Sequence, residues 1–355
     1  MSGPFSCLYI LYFCKLKDEY NPIFKLLIQM KNTISLLLIL SLIMVSCGKE
    51  DETTDPEGIY KQRMREFVIN ISQYSKTLKP DFNVIPQNGL ELISDNGNES
   101  GQPYIAYLNA IDANGQEDLF FGYNADDQIT PYQDNTYLRT FLDMSKKAGN
   151  VILVIDYCFT PEKVLTSYNQ NTNAGYISFA ANKRELNTIP TFPTPIPMEN
   201  ANVITKMSEV KNFLYLLNLS SYNSKIDFIN AVTATNYDLL VTDLFFNDGS
   251  SFTTDEINQL RNKANGGKRL VISYMSIGEA EDYRYYWKST WSTLPPEWLA
   301  AENPNWKGNY KVKYWNREWQ NIIYGNDTSY TKRIIDAGFD GVYLDIIDAF
   351  EFFEE

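Results

Sequence analysis

The sequence predicts an α/β fold built on parallel strands. Short apolar runs alternate along the chain with segments of helical period, which is the pattern of repeated βαβ units. Several of the runs end in an acidic residue, as expected where strands deliver side chains to a site at one edge of a sheet. The chain has 355 residues, and its roughly eight runs fit one TIM-type (β/α)8 barrel better than two separate domains.

The first 58 residues carry a targeting pattern. Residues 30–47 combine a short basic start, an apolar run and Ser46 ahead of Cys47, which resembles a bacterial lipoprotein signal. We therefore expect residues 1–47 to be a leader with Met30 as the true start, Cys47 to be lipidated, and residues 48–58 to form a polar tether. The apolar run is too short to predict a membrane-spanning helix. The expected location is the outer membrane or cell surface of a Gram-negative bacterium, with the lipid as the only membrane contact.

Composition excludes several classes of function. The chain has no histidine, which rules out Ser-His-Asp and Cys-His catalysis and His-ligated metals. The net charge is −13, and cleavage before Cys47 would make it more negative by removing four lysines and two acidic residues. Such a charge argues against a nucleic-acid partner. Cys158 would then be the one unmodified cysteine, so no internal disulfide is expected. The sequence shows no spacing typical of a metal loop or a nucleotide fingerprint, and we expect no metal, no cofactor and a monomer.

The N-terminal half begins with a helix. Tyr60–Tyr74 places its apolar residues on one face, which predicts an amphipathic helix. Val84–Gly89 predicts a short strand with a polar end, and Leu138–Ala148 predicts a helix. Val151–Asp156 is continuously apolar up to its aspartate, as in a strand buried on both faces. Four prolines within residues 188–197 predict a linker or an extended crossing segment.

The C-terminal half alternates more regularly. Thr254 is expected to cap a helix, with Glu256 in its first turn. The other predicted elements of this half are strands at Phe213–Leu217, Tyr237–Asp243, Leu270–Met275, Val312–Trp315 and Gly341–Leu344, and helices at Ile226–Thr233, Thr254–Ala264 and Thr331–Ala337. The predicted barrel, residues 59–355, thus begins on a helix and stops just after a strand, whereas an ordinary barrel begins with a strand and ends with a helix.

Seven blocks of the sequence form a distinctive set. They are Arg65–Tyr74, Val84–Gly89, Gly115–Gly122, Ser273–Trp287, Glu302–Tyr310, Val312–Trp315 and Gly338–Glu351 (GFDGVYLDIIDAFE). Together they resemble the endo-α-1,4-polygalactosaminidase family, glycoside hydrolase family 114. In the family, the block that contains Asp345 lies in the middle of the barrel and the Arg65 helix follows it. The resemblance therefore implies a circularly permuted barrel over residues 60 to 355, in which residues 188–197 join the old ends. A truncated or rearranged gene model is the alternative.

The resemblance also implies a pair of catalytic carboxyl groups. Glycoside hydrolysis uses one protonated and one ionised carboxyl group on either side of the scissile bond. Asp345 corresponds to the nucleophile or stabiliser, and Glu117 corresponds to the proton donor. Both follow predicted strands and can therefore meet at the barrel mouth. Asp118 is a rival acid, and the alternative role for Asp345 is a turn or helix cap.

Further polar and aromatic residues at predicted strand ends are candidates for substrate binding. They are Gln116, Asp156, Asp243, Tyr274, Glu279, Glu281, Tyr314, Trp315 and Asp348. The acids together would form a mouth suited to a cationic amino sugar, and the aromatic rings can stack on sugar faces. Each acid alone is more often a turn cap or an ion-pair partner, and each ring is about as often a core residue. The function implied by the resemblance is a surface-anchored, endo-acting hydrolase of α-1,4-linked galactosamine-rich polysaccharide. The alternative is a non-catalytic sugar-binding lipoprotein of the same fold.

Overall fold

A computed structural model describes residues 58–354 of the chain. Its strands are β1 Asn83–Pro86, β2 Ala113–Glu117, β3 Val151–Tyr157, β4 Ile177–Ala181, β5 Phe213–Tyr215, β6 Leu239–Thr242, β7 Leu270–Ser276, β8 Glu279–Glu281, β9 Leu299–Glu302, β10 Asn309–Val312 and β11 Gly341–Asp345. Its α-helices are α1 Ile59–Leu78, α2 Ile105–Leu108, α3 Tyr132–Lys147, α4 Pro161–Ala174, α5 Lys225–Thr233, α6 Thr254–Leu260, α7 Arg317–Ile323, α8 Tyr330–Asp336 and α9 Phe350–Glu354.

Eight of these strands run parallel in two sheets. One sheet has the order β1-β11-β7-β6-β5, and the other has the order β2-β3-β4. A parallel bridge between Gln87 and Gly115 connects the β1 and β2 edges, and β4 lies beside β5 at the other edges. The fold is therefore α/β with parallel sheets, as predicted. Because β1 pairs with β11, strands from opposite ends of the described chain become neighbours.

The elements form where burial and capping favour them. In α1, an apolar stripe that includes Met64, Phe67 and Ile71 is buried, in keeping with the amphipathic pattern. Helix α6 is capped by Thr253 rather than Thr254, because the Thr253 hydroxyl accepts from the backbone of Glu256, whose side chain returns to the Thr253 amide. The prediction of Thr254 as the cap is therefore wrong by one residue, whereas Glu256 does lie in the first turn as predicted.

The prediction of a barrel strand at Val312–Trp315 is wrong. Strand β10 ends at Val312 and belongs to a separate antiparallel sheet of order β8-β10-β9. Tyr314 and Trp315 instead pack their rings edge-on against each other. Their apolar character reflects packing between aromatic side chains and not a buried strand.

Helix α1 lies at the seam between the two ends of the described chain. Lys79, just after α1, donates to the backbone of Phe339, which precedes β11, at 2.8 Å. At the other end of the helix, Lys61 pairs with Glu354 of α9. Helix α1 also contacts α8, the helix that leads into β11. The helix that comes first in the fold therefore packs beside the strand that comes last.

Residues 58–354 form one compact unit, which is not divided at the proline-rich residues 188–197. The predicted leader, Cys47 and the tether up to residue 57 lie outside the described residues. Within residues 58–354, no helix has the length and apolar character that a membrane span requires.

Candidate active site

The order of the strands brings Glu117 and Asp345 together. Glu117 ends β2 and Asp345 ends β11, and β1 lies between those two strands. Gln87 follows β1 directly. The carboxyl ends of these three neighbouring strands therefore deliver Glu117, Gln87 and Asp345 to one point.

One amide nitrogen bridges the two carboxyl groups. Gln87 Nε2 donates to Glu117 Oε2 at 2.9 Å and to Asp345 Oδ1 at 3.2 Å. The two accepting oxygens therefore lie no more than about 6 Å apart, which is the scale on which paired glycosidase carboxyl groups work. Gln87 is itself 3% exposed, and its Oε1 accepts from Tyr215 Oη at 2.9 Å.

Glu117 has the environment of a carboxyl group that holds a proton near neutral pH. Burial raises the pKa of Glu117 to about 7, and the neighbouring charge of Asp345 adds to the increase. A hydrogen bond from Tyr157 Oη to Oε1 opposes it, and Asn88 Nδ2 donates more weakly to Oε2 at 3.4 Å. The charge of Asp118 raises the pKa of Glu117 further.

Asp345 is held by a different set of donors. Tyr274 Oη donates to Oδ2 at 2.7 Å while Gln87 occupies Oδ1. Burial raises the pKa of Asp345, and the hydrogen bond from Tyr274 opposes this by favouring the ionised form. Tyr274 was predicted as a sugar-stacking ring, and the structure gives it contact with the carboxyl group as well.

Asp348 lies next to Asp345 on the short 3-10 helix Ile347–Ala349 that follows β11. Burial and the charge of Asp345 raise the pKa of Asp348 to about 7. Asp348 is therefore a second carboxyl group at the site that can hold a proton at neutral pH.

Asp118 is not equivalent to Glu117. Arg184 donates to both of its carboxylate oxygens, at 2.8 and 3.2 Å. The Arg184 guanidinium also lies 4.1 Å from the centroid of the Tyr157 ring. Asp118 therefore works as the partner of an arginine, and the rival assignment of Asp118 as the acid is not supported by its contacts.

Three of the acids predicted to line the mouth are engaged in buried ion pairs. Arg284 pairs with Asp243 at 2.7 Å and with Glu281 at 2.5 Å. Glu279 is fully buried and pairs with Lys311 at 2.8 Å. Two cations thus offset the charge of these three acids in part, so the mouth is less acidic than the sequence suggested.

Two further predicted binding residues point away from the site. Asp156 is 0% exposed, and its carboxylate accepts from the backbone of Phe120 and from Ser167 and Asn171 of α4. This residue therefore ties a loop and a helix to β3 and cannot touch a substrate. Gln116 alternates with the site-facing Glu117 along β2, and its amide donates to the Glu117 carbonyl at 2.7 Å.

Tyr314 and Trp315 are also placed elsewhere. Tyr314 is 0% exposed and donates to the carbonyl of Tyr60 in α1 at 2.8 Å. Trp315 packs against the rings of Tyr60 and Phe353, at 5.1 and 4.7 Å between centroids. Both residues therefore pack between the first and last helices of the described chain, and the prediction that they bind substrate is wrong.

Gln87, Tyr157 and Tyr215 were not identified from the sequence as site residues. A signal for Gln87 exists, because it is the polar end of the strand Val84–Gly89. The tyrosines carry no comparable signal, since many strands of this chain contain tyrosine. Among residues 58–354, no group of three or more cysteine or acidic side chains is arranged to hold a metal ion.

Comparisons with known proteins identify the class. Residues 197–355 match the model of glycoside-hydrolase family GH114, which supports a glycoside hydrolase. The chain is therefore glycoside hydrolase family 114-like over that segment, which includes Asp345 and Asp348.

Relatives extend this similarity across distant organisms. The chain is 42% identical over 160 residues to the uncharacterized protein MJ1477 of Methanocaldococcus jannaschii, covering 44% of this chain and 42% of the relative. It is 41% identical over 124 residues to an uncharacterized protein of Thermotoga maritima, covering 35% and 36%. A protein of Deinococcus radiodurans, also uncharacterized, is 36% identical over 159 residues, covering 45% and 47%. The matches thus span less than half of each relative.

Proposed function

We propose that this protein is a retaining glycoside hydrolase in which Glu117 is the acid and base and Asp345 is the nucleophile. The observation that carries the proposal is the pair of hydrogen bonds from Gln87 Nε2 to both carboxyl groups. It brings together two side chains 228 positions apart in sequence, one of which has a pKa of about 7.

The separation of the carboxyl groups favours retention over inversion. Retaining enzymes place the two groups about 5–5.5 Å apart, and inverting enzymes need about 6.5–9.5 Å to admit a water molecule. Because Gln87 Nε2 bridges Glu117 Oε2 and Asp345 Oδ1, these two oxygens are at most about 6 Å apart, which suits the closer, retaining arrangement. In the first step, Asp345 attacks the anomeric carbon while Glu117 gives its proton to the leaving oxygen. In the second step, Glu117 takes a proton from water, which attacks the same carbon and releases Asp345.

The fold that carries this site is an eight-stranded TIM-type barrel in permuted order. The parallel bridge between Gln87 and Gly115 and the contact between β4 and β5 support closure of the two sheets. The position of α1 beside β11 supports the permutation, because a barrel needs a helix after each strand. A rearranged chain that begins within residues 188–197 and joins Glu355 to Gly58 should fold with an unchanged circular dichroism spectrum. Failure of this chain to fold would count against the permutation.

The substrate class follows from the family resemblance. The expected polymer is α-1,4-linked and rich in galactosamine, and cleavage is internal. Asp348, which has no ion-pair partner among residues 58–354, can accept a hydrogen bond from an ammonium group when it is ionised. The protein acts as a monomer held at the outer membrane or cell surface by lipid on Cys47. Incorporation of labelled palmitate in a Gram-negative host should be lost in Cys47→Ser.

The test is reducing-end release from a panel of amino-sugar polymers, with the anomeric configuration of the first product followed by proton NMR. Retention of configuration is expected. Release with inversion would refute the nucleophilic role of Asp345. If polymers bind without any release, the alternative of a non-catalytic sugar-binding lipoprotein is correct.

A further inference from the structure

Gln87 is fixed in one orientation by a partner outside the carboxyl pair. Tyr215 Oη donates to Gln87 Oε1 at 2.9 Å, so the amide oxygen faces the tyrosine and the amide nitrogen faces the acids. Each of the two hydrogens on Nε2 then has its own acceptor, one on Glu117 and one on Asp345. A flipped amide would instead point its oxygen at two carboxyl groups.

The two oxygens of Glu117 consequently have different partners. Oε2 faces the amide nitrogens of Gln87 and Asn88, which can only donate. Oε1 faces the hydroxyl of Tyr157, which can donate or accept. A proton on Oε2 would point at a donor, whereas a proton on Oε1 finds an acceptor in Tyr157.

We propose that Gln87, held by Tyr215, is a positioning residue that directs the acid's proton to Oε1 of Glu117 while it keeps Asp345 ionised. This inference rests on the proposed function for its catalytic meaning. The leaving-group oxygen takes the place of Tyr157 as acceptor, the Oε1–H bond breaks and an O–H bond forms on the leaving group. The negative charge left on Glu117 is then stabilised by the donors on Oε2.

Other charged and titratable groups also act on this pair. Those around Glu117 are Asp118 just after β2, Tyr157 of β3, Tyr215 of β5 and Tyr343 of β11. Those around Asp345 are Tyr274 of β7, Glu279 and Glu281 of β8, and Asp348 after β11. Because substitution of Tyr215 by phenylalanine alters none of the carboxyl groups, its effect on Glu117 must pass through Gln87 or through a general change in packing.

The chain offers a matched control for packing. The ring of Tyr343 lies 5.2 Å from that of Tyr215, and its buried hydroxyl has no hydrogen-bond partner among residues 58–354. Burial raises the pKa of Tyr343 well above its usual range, so this residue stays un-ionised while Glu117 titrates. Tyr343→Phe therefore removes a neutral buried hydroxyl at the same depth without releasing Gln87.

The experiment is a carbon-13 NMR titration of the Glu117 carboxyl group in the full chain, assigned by its loss in Glu117→Gln. In Tyr215→Phe, Gln87 Oε1 loses its donor, so the amide is held from the side of the carboxyl groups alone and its hydrogen bond to the ionised Glu117 carboxylate weakens. We expect the midpoint of Glu117 to rise by about one pH unit, as for the loss of one hydrogen bond to the charged form. Gln87→Leu should raise it by at least as much, and Tyr343→Phe should leave it in place.

The titration does not depend on turnover, so it can fail separately from the proposed function. Unchanged midpoints in Tyr215→Phe and Gln87→Leu would overturn the inference, and so would an equal rise in Tyr343→Phe. If Gln87→Leu does not fold, Tyr215→Phe alone decides, because it retains the ring and all atoms of Gln87. In an active enzyme, Tyr215→Phe should also move the alkaline limb of kcat to higher pH, which a purely structural role would not do.

Discussion

Replacement of Glu117 by glutamine keeps the size and shape of the side chain but removes its transferable proton. The amide oxygen of the variant can still accept from Gln87, and its amide nitrogen can donate to Tyr157 Oη, so both existing contacts have a replacement. Only the transferable proton is lost. We therefore expect kcat on an unactivated polymer to fall by about 10²–10⁴-fold while the substrate still binds, which is the usual contribution of general acid catalysis.

The pH dependence of the two proteins follows from the pKa of about 7 at Glu117. Catalysis needs Glu117 protonated, so wild-type kcat should fall about tenfold per pH unit above that value, and Glu117→Gln should lack this limb. The free energy of unfolding should also decrease as the pH rises. Because folding raises the pKa from 4.5 to about 7, the folded state holds a proton that the unfolded chain releases. Stability is therefore full below pH 4.5 and declines as pH rises to about 7, by up to about 3 kcal/mol.

The assay combines reducing-end release with thermal unfolding at pH 4 and pH 8. Glu117→Gln should lose activity and should also reduce the difference in stability between the two pH values, and Asp348, whose pKa is likewise about 7, should account for a comparable remaining part. The exposed residue Glu66 on α1 provides the control, since Glu66→Gln should change neither. A Glu117→Gln protein that keeps more than about a tenth of wild-type kcat would refute the assignment of the acid.

Three further substitutions and one comparison of substrates test other residues of the site and of the core. Asp345→Asn should reduce kcat by at least about 10²–10⁴-fold at unchanged melting temperature, and trapping experiments should detect no covalent glycosyl-enzyme. Asp348→Asn replaces a carboxyl group whose pKa is about 7 and which is therefore already protonated where Asp345 titrates, so the acidic limb of the pH–rate profile should stay in place. Lys263→Met should lower the free energy of unfolding by about 3–5 kcal/mol in urea titration, because it strands the fully buried Asp238, which the lysine contacts at 2.6 Å. In a comparison of aryl glycosides, an activated leaving group should restore most of the kcat/KM lost in Glu117→Gln, since such a group needs little protonation in the first step, while kcat stays low because the second step still lacks its base.

The sequence determined the elements and the identity of the two central acids. Continuous apolar runs predicted most of the parallel strands, because a strand that is buried on both faces has apolar residues at successive positions and does not alternate with polar ones. Asp345 stands at the end of such a run, whereas Glu117 ends the largely polar segment Ala113–Glu117 and was selected through the family resemblance. The spacing of apolar residues is a local property of the chain, so it can be read from the sequence before the fold is known.

Only the tertiary structure decided which of several similar acids are free to act. Asp156 and Asp243 also follow apolar runs, and nothing local distinguishes them from Asp345. Their partners come from elsewhere, with α4 enclosing Asp156 and Arg284 pairing with Asp243 across 41 positions of the sequence. Burial makes an unpaired charge costly, so the availability of a distant partner determines whether an acid is structural or reactive.

The same holds for Gln87, whose importance depends on strand order. Its sequence neighbours indicate only a polar strand end. Pairing of β1 with β11 on one side and the bridge to β2 on the other place it between Asp345 and Glu117, 258 and 30 residues away. Long-range strand pairing leaves no periodic signal in the sequence, and for that reason the two acids could be predicted while the amide that joins them could not.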